Sequence, residues 1–253
     1  LDVQNTVAIV TGASSGVGAE TAVKLAKLGV KVVVNYATSK AGAETTVARI
    51  VELGGEAISV QADVSDNAQC VNLVERAVER FGQLNILINN AGTTTFVDHS
   101  ELDLLSDDIW QRTLNTNLLG PFYMSRAALP ELIKQGGGDI VMTSSTAGLN
   151  ANGSSIAYCA SKAGLNSLTK TLAKAMGKHN VRVNAICPGL IDGKWSREGR
   201  GDNWQAVESF VKQNAALGKV STPEDIADSI LSVVCGSDLL TAQIIVVDGG
   251  FAI

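Results

Sequence analysis

The chain predicts a single doubly wound α/β domain over residues 1–253, a seven-stranded parallel sheet flanked by helices on both faces. Three observations predict it. Short β-branched, apolar runs alternate with longer stretches of helical periodicity. The runs are continuous rather than alternating apolar and polar, as strands covered on both faces require. Glycine-rich or polar clusters follow nearly every run, which places them at one edge of the sheet.

The elements follow in order. Val7–Val10 reads as the first strand, and Gly16–Leu28 as a helix ended by Gly29. Lys31–Asn35 is the second strand, and Ala41–Leu53 a helix stopped by Gly54-Gly55. Ala57–Gln61, Ile86–Ile88, Ile140–Thr143, Val181–Ile186 and Ile244–Val247 are further apolar runs of strand length. A strongly helical segment opens at Tyr158 and runs to about Gly177. The polar interval Asp192–Asn203 reads as structureless. An interval of this kind in a compact domain is usually functional, and a substrate lid is expected over about 190–217. No internal repeat or low-complexity linker interrupts the pattern.

Composition narrows the classes. Hydrophobic residues at 45% and charged residues at 18% exclude a disordered chain. A formal net charge of -5 argues against nucleic acid or an anionic membrane as partner. Cys70, Cys159, Cys187 and Cys235 form no CxxC pair, and His99 and His179 have no partner at metal or triad spacing. Buried, inert thiols, no metal site and a reducing, cytoplasmic setting are expected. The Val7–Val10 run is too short for a signal peptide, and no stretch approaches the ~20 apolar residues of a membrane span.

The first cluster is Thr11-Gly12-Ala13-Ser14-Ser15-Gly16-Val17-Gly18. Its Gly-x-x-x-Gly-x-Gly spacing differs from the usual Rossmann fingerprint but serves the same physics. Glycines permit a tight turn and close approach, and the next helix aims its N-terminus at a pyrophosphate. NAD sites usually place a carboxylate at the end of the second strand, whereas this chain has Asn35-Tyr36-Ala37-Thr38-Ser39-Lys40. The Thr38 and Ser39 hydroxyls and the Lys40 cation suit a 2′-phosphate, so NADP(H) is the expected cofactor, with NAD(H) the alternative.

Tyr158 and Lys162 stand at i and i+4, on one helix face. A cation near a phenol favours the phenolate, so Tyr158 is expected to be acidified and to exchange a proton with a substrate oxygen. Ser145 lies thirteen residues upstream at a strand end and can hydrogen-bond that oxygen. Ser144 is its competitor. Trp195 and Trp204 flank the lid, either lining a substrate pocket or packing the lid down.

Taken jointly, these motifs resemble the short-chain dehydrogenase/reductase family from Val7 to Gly250. They are TGASSGVG at 11–18, Asp63-Val64, NNAG at 89–92, Asn117, Ser145, YCASK at 158–162, Pro188-Gly189 and DGG at 248–250. The resemblance implies that Gly12, Gly16 and Gly18 shape the pyrophosphate loop, with Ser14, Ser15 and Val17 lining it. It implies that Asp63 and Val64 meet the adenine, and that Asn90, Ala91 and Gly92 sit beside the adenosine ribose. Ser145 would orient the carbonyl, Tyr158 act as acid/base, and Lys162 bind the nicotinamide ribose. Asn117 would hold a relay water by distorting its helix, and Pro188, Gly189 and Ile191 would flank the nicotinamide. The implied assembly is a homotetramer with the helices of Asn117 and Tyr158 at the dimer surface.

One departure is Gly193, where family members often carry a threonine that binds the carboxamide. The expected activity interconverts an alcohol with a ketone or aldehyde. An NAD-linked alcohol dehydrogenase and a non-catalytic dinucleotide sensor are the alternatives.

Overall fold

Both faces of each central strand are apolar, so the chain must cover the sheet twice. The computed structural model describes residues 2–252. Its strands are β1 (Val7–Val10), β2 (Lys31–Tyr36), β3 (Ala57–Gln61), β4 (Ile86–Asn89), β5 (Gly138–Thr143), β6 (Val181–Pro188) and β7 (Ile244–Val247). They form one sheet in the order β3-β2-β1-β4-β5-β6-β7, and every pairing is parallel. The strand order reverses between β1 and β4, which opens a crevice beyond their carboxyl ends.

The helices in chain order are α1 (Gly16–Lys27), α2 (Lys40–Glu52), α3 (Asn67–Phe81), α4 (Asp107–Leu114) and α5 (Gly120–Lys134). After them come α6 (Ala147–Asn150), α7 (Ile156–Met176), α8 (Lys194–Arg200), α9 (Trp204–Asn214) and α10 (Pro223–Val234). Alternation along the strands divides the core in two. Ala8, Val10, Val32 and Val34 pack with α1, α2 and α10 through Leu25, Ile50 and Ile230. Val7, Ile9, Leu87 and Ile140 pack with α3, α5 and α7 through Leu73, Met124 and Leu165. The edge strands depart from full burial: Val246 in β7 is 43% exposed.

Helix starts are fixed by side chains. Asp66 accepts from the Ala68 and Gln69 amides at the start of α3, and Thr222 with Asp225 forms a reciprocal capping box at α10. Ser155 is fully buried and its hydroxyl accepts from the Tyr158 amide at 3.2 Å, which fixes where α7 begins.

The interval 192–203 is helical, contrary to the structureless reading. Helix α8 and a 3₁₀ turn at Gly201–Asn203 lead into α9. Tertiary contact overrides the poor propensity of its glycines. A Cβ at Gly199 would lie 1.9 Å from the Phe96 ring, so glycine lets α8 seat directly on that ring. The Arg197 fork closes on Asp192 at 2.6 and 2.9 Å. At the amino ends of the strands, Arg182 pairs with Asp139 at 2.6 Å. It also donates to the carbonyls of Val233, Val234, Ser237 and Leu240. Among the described residues no helix is long and apolar enough to cross a membrane.

Candidate active site

The crevice at the β1/β4 reversal is a cleft of ≈ 1430 Å³. That exceeds the roughly 300–1,000 Å³ of a typical small-ligand pocket and leaves room for a dinucleotide and a second molecule. Its floor begins at the glycine loop. Gly12 has φ +62°, and a Cβ there would lie 2.9 Å from the Ala91 Cα. Gly16 has φ +55° and nothing within 4 Å of its would-be Cβ, so its bare face borders open space. Gly18 is turned inward instead, with a would-be Cβ 2.5 Å from both the Asn90 amide nitrogen and the Gly12 carbonyl. Ser15 heads α1 without a side-chain cap, which leaves the first-turn amides without a capping acceptor. Ser14, Ser15, Gly16 and Val17 line the cleft there. An uncapped helix N-terminus behind a bare glycine face fits a pyrophosphate.

Buried amides hold this loop. Asn35 accepts from the Gly12 amide at 3.2 Å and donates to the Ala62 carbonyl at 3.0 Å. Asn90 donates to the carbonyls of Thr11 and Gly12, while the Thr11 hydroxyl accepts from the amides of Asn90 and Ala91. Asn35 was read from sequence as a contact at the ribose end. It lines the cleft but is 1% exposed, and works as a buckle between β2, β3 and the loop. Thr38, Ser39, Asp63 and Val64 border the same end. Tyr36 does not: it is 7% exposed and packs in the core. Lys40 stands away from the lining too, its side chain 71% exposed and 3.6 Å from Glu44.

The other end of the cleft carries the proton-transfer candidates. Ser145, Tyr158 and Lys162 line it together, beside Asn90, Ala91 and Gly92. The Ser145 hydroxyl accepts from the Ala147 amide at 3.1 Å and lies close enough to the Tyr158 phenol to favour its ionised form. The Ser144 hydroxyl turns the other way and donates to Asn166 Oδ1 at 2.7 Å, so of the two serines only Ser145 meets the phenol. The Lys162 ammonium donates to the Thr143 carbonyl at 2.8 Å and lies 5.6 Å from the Tyr158 ring centroid.

The expected acidification of Tyr158 is not found. Burial pushes the phenol up to about 12, with the nearby Ser145 side chain pulling against it. Burial pushes the Lys162 ammonium down to about 8. The reason is geometric: the ammonium is tied to the β5 carbonyl and faces the ring, so desolvation outweighs its attraction for the phenolate.

Asn117 sits in a π turn, Asn115–Leu119, between α4 and α5, the helix distortion expected of it. It is fully buried behind the cleft lining. Its side chain accepts from the Thr93 amide at 2.8 Å and donates to the Thr93 carbonyl at 2.9 Å and to Ser161 Oγ at 3.1 Å. Ser161 in turn donates to the Tyr158 carbonyl at 2.7 Å. Ser161 was not singled out from sequence, although its place inside YCASK was the available signal. Pro188, Gly189 and Ile191 border the same end, with Gly193 among the lining residues as well.

Of the two lid tryptophans, Trp195 lines the cleft and meets the Tyr158 ring edge-on at 6.2 Å. Trp204 is buried and lies under the Arg197 guanidinium at 5.3 Å, packing the segment down. His99 is half-buried against the Gly153 carbonyl at 3.1 Å. Cys70, Cys159 and Cys187 are buried, Cys235 is partly so, and burial raises the pKa of each.

Comparison with known proteins agrees with this geometry. Residues 6–203 match the short chain dehydrogenase family. The chain is 37% identical over 246 residues to a 3-oxoacyl-[acyl-carrier-protein] reductase of Synechocystis sp., covering 96% of each chain. It is 36% identical over 246 residues to an L-rhamnose 1-dehydrogenase (NAD(P)(+)) of Sphingomonas sp., covering 96% of this chain and 94% of the relative. It also resembles a 7 alpha-hydroxysteroid dehydrogenase solved with NADH and 7-oxo glycochenodeoxycholic acid. That likeness has a TM-score of 0.89 and 30% identity, covering 98% of this chain and 94% of the other. A parallel sheet with its glycine loop and Ser-Tyr-Lys group at one edge, matched over nearly its whole length, makes this chain a short-chain dehydrogenase/reductase, an oxidoreductase of the CH–OH/C=O couple that uses a nicotinamide nucleotide.

Proposed function

We propose that this chain is an NADP(H)-dependent reductase of ketones or aldehydes, reversible to the alcohol, with Tyr158 as acid/base. The observation that carries the proposal is the meeting of Ser145, Tyr158 and Lys162 in one cleft with the glycine loop, the lysine 5.6 Å from the phenol ring centroid. The nicotinamide supplies or accepts the hydride and, when oxidised, carries a positive charge. Ser145 and Tyr158 both hold the substrate oxygen, and Tyr158 passes the proton. Lys162 binds the nicotinamide ribose from its anchor on Thr143. The side chain of Asn117 is committed to Thr93 and Ser161, so a proton relay through a water uses the backbone of the π turn rather than that amide.

Gly12, Ser14, Ser15, Gly16 and Val17 hold the pyrophosphate, while Asp63 and Val64 hold the adenine. Thr38 and Ser39 face the 2′-phosphate, in a stretch that offers no carboxylate to a ribose 2′-hydroxyl. Pro188, Gly189 and Ile191 flank the nicotinamide. Residues 190–217, as α8 and α9, act as the lid, with Trp195 edge-on to the Tyr158 ring. A cytoplasmic homo-oligomer accords with the family resemblance.

The test is consumption of reduced nicotinamide with a panel of ketones and aldehydes, run with NADPH and NADH in parallel. Turnover favouring NADPH supports the reading, and a preference for NADH favours the NAD-linked alternative. Clear cofactor binding without turnover of any carbonyl or alcohol would mark a dinucleotide sensor.

A further inference from the structure

The arginines that meet carboxylates in this fold leave two on the cleft that do not. Arg49 is paired with Glu20, Arg182 with Asp139 and Arg197 with Asp192. Arg200, the last residue of α8, lines the cleft with no carboxylate partner among the described residues. Among the described residues its buried Nε–H has no acceptor. Its guanidinium lies against the Phe96 ring, 5.7 Å from the centroid. Buried donors without acceptors are uncommon, and each calls for an explanation. Arg112, on α4, also lines the cleft, and among the described residues its guanidinium donates to the Thr95 hydroxyl alone, at 2.8 Å.

Thr95 and Phe96 are adjacent, so one short stretch of chain carries a guanidinium on each of two consecutive side chains. One arginine comes from the lid and the other from α4. Seating Arg200 on Phe96 depends on Gly199, where any Cβ would strike the ring. Asp108 lies on the same cleft wall one turn before Arg112, yet no ion pair joins them. Two cleft-lining guanidiniums with no ion-paired carboxylate among the described residues, one of them with a buried, unpartnered Nε–H, suit an oxyanion.

We propose that Arg200 and Arg112 clamp a carboxylate or phosphate at the far end of the substrate, so that this enzyme acts on carbonyl compounds bearing a remote anionic group. The inference rests on the carbonyl-reductase reading above and names its substrate class. Arg200 lies five positions after Trp195, roughly 7.5 Å along the helix axis. Trp195 stands against Tyr158, so the charge belongs at a distance from the carbonyl rather than next to it.

The experiment uses methyl-ketone carboxylates of increasing chain length beginning with levulinate, their methyl esters, and hydroxyacetone phosphate. Binding is read from tryptophan fluorescence, turnover from reduced-nicotinamide consumption, and NADPH affinity by titration, in the wild type, Arg200→Met, Arg200→Lys and Arg112→Met. At least one acid or the phosphate should bind about ten- to a hundredfold more tightly than the esters. Arg200→Met should abolish that preference, Arg200→Lys should restore part of it, and ester binding and NADPH affinity should stay unchanged.

The two anion arms separate a carboxylate from a phosphate preference. Wild-type protein that binds acids and phosphate no better than esters would overturn the clamp, as would a preference that survives Arg200→Met. A loss of NADPH affinity in the variants would also overturn it, by assigning the arginines to the dinucleotide. Tight anion binding that depends on Arg200, but without any turnover, would keep the clamp and reject the reductase reading instead.

Discussion

The Lys162 ammonium is anchored on the Thr143 carbonyl at 2.8 Å, in a position where burial brings its pKa down to about 8. The tie explains why the lysine reaches the face of the Tyr158 ring rather than its hydroxyl. It also means that the apo fold carries a costly buried cation for the sake of the reaction.

Lys162→Met therefore separates stability from activity. At pH 7 the methionine should make the cofactor-free protein more stable by about 1–2 kcal/mol, since an apolar isostere replaces a desolvated charge. The sign follows from the lowered value. Below about 8 the wild-type lysine is protonated folded and unfolded, and the burial cost is fully felt. From about 8 up to lysine's ordinary 10.5 only the unfolded chain keeps the proton, so wild-type stability rises and the gap to the variant closes. Urea titrations across that pH range check it, and a variant less stable at pH 7 would refute the cost. Turnover and cofactor binding should both fall in the variant, and wild-type turnover should decline as pH climbs through about 8.

Tyr158→Phe keeps the ring against Trp195 and removes only the hydroxyl. Turnover should fall by about 10²–10⁴, the usual worth of a positioned acid or base, with NADPH affinity within about twofold of wild type. Ser145→Ala should cost less, about 10²-fold, because the phenol still reaches the oxygen. Steady-state kinetics with parallel cofactor titration decides both. A phenylalanine variant retaining a tenth of wild-type activity would remove Tyr158 from its role.

Much of this site is legible in the chain because its parts lie in contiguous motifs. The glycine loop, NNAG and YCASK each follow or open an element whose hydrophobic period is plain, and the sheet edge brings them together. The helix distortion at Asn117 is legible, but the partners of Asn35 and Asn117 are not. These buried amides reach across 23 or more residues, to Gly12 and Ala62 or to Thr93 and Ser161. Helix α8 escaped for a related reason: glycines flank it at 193 and 201, and its Gly199 packs on Phe96, a ring about a hundred residues earlier in the chain. The i to i+4 spacing of Tyr158 and Lys162 gives proximity but says nothing of burial, which pushes the phenol up in the cofactor-free fold.

Cofactor choice can be tested at Ala37, which follows β2 directly and lines the cleft with Thr38 and Ser39. Ala37→Asp places a carboxylate where a dianionic 2′-phosphate is proposed to lie, and where a ribose 2′-hydroxyl would accept it as partner. The ratio of kcat/KM for NADPH over NADH should fall by about tenfold or more, equivalent to about 1.4 kcal/mol of discrimination. An unchanged ratio would move the 2′-phosphate away from this corner.

Arg182 makes the last prediction, at the edge of the sheet remote from the cleft. It is 7% exposed, pairs with Asp139 at 2.6 Å, and holds four carbonyls where α10 ends and the chain turns toward β7. Arg182→Met strands the Asp139 carboxylate, which burial already pushes up to about 6 against the pull of this arginine. Removing one partner of a buried pair costs about 3–5 kcal/mol, because the remaining charge stays desolvated. Asp139→Asn in the same background should recover part of that loss, since the neutral amide has less need of a cation. Urea unfolding of the single and double variants measures it. A loss below about 1 kcal/mol for Arg182→Met would mean that this end of the sheet is held by strand pairing alone, with the guanidinium incidental to it.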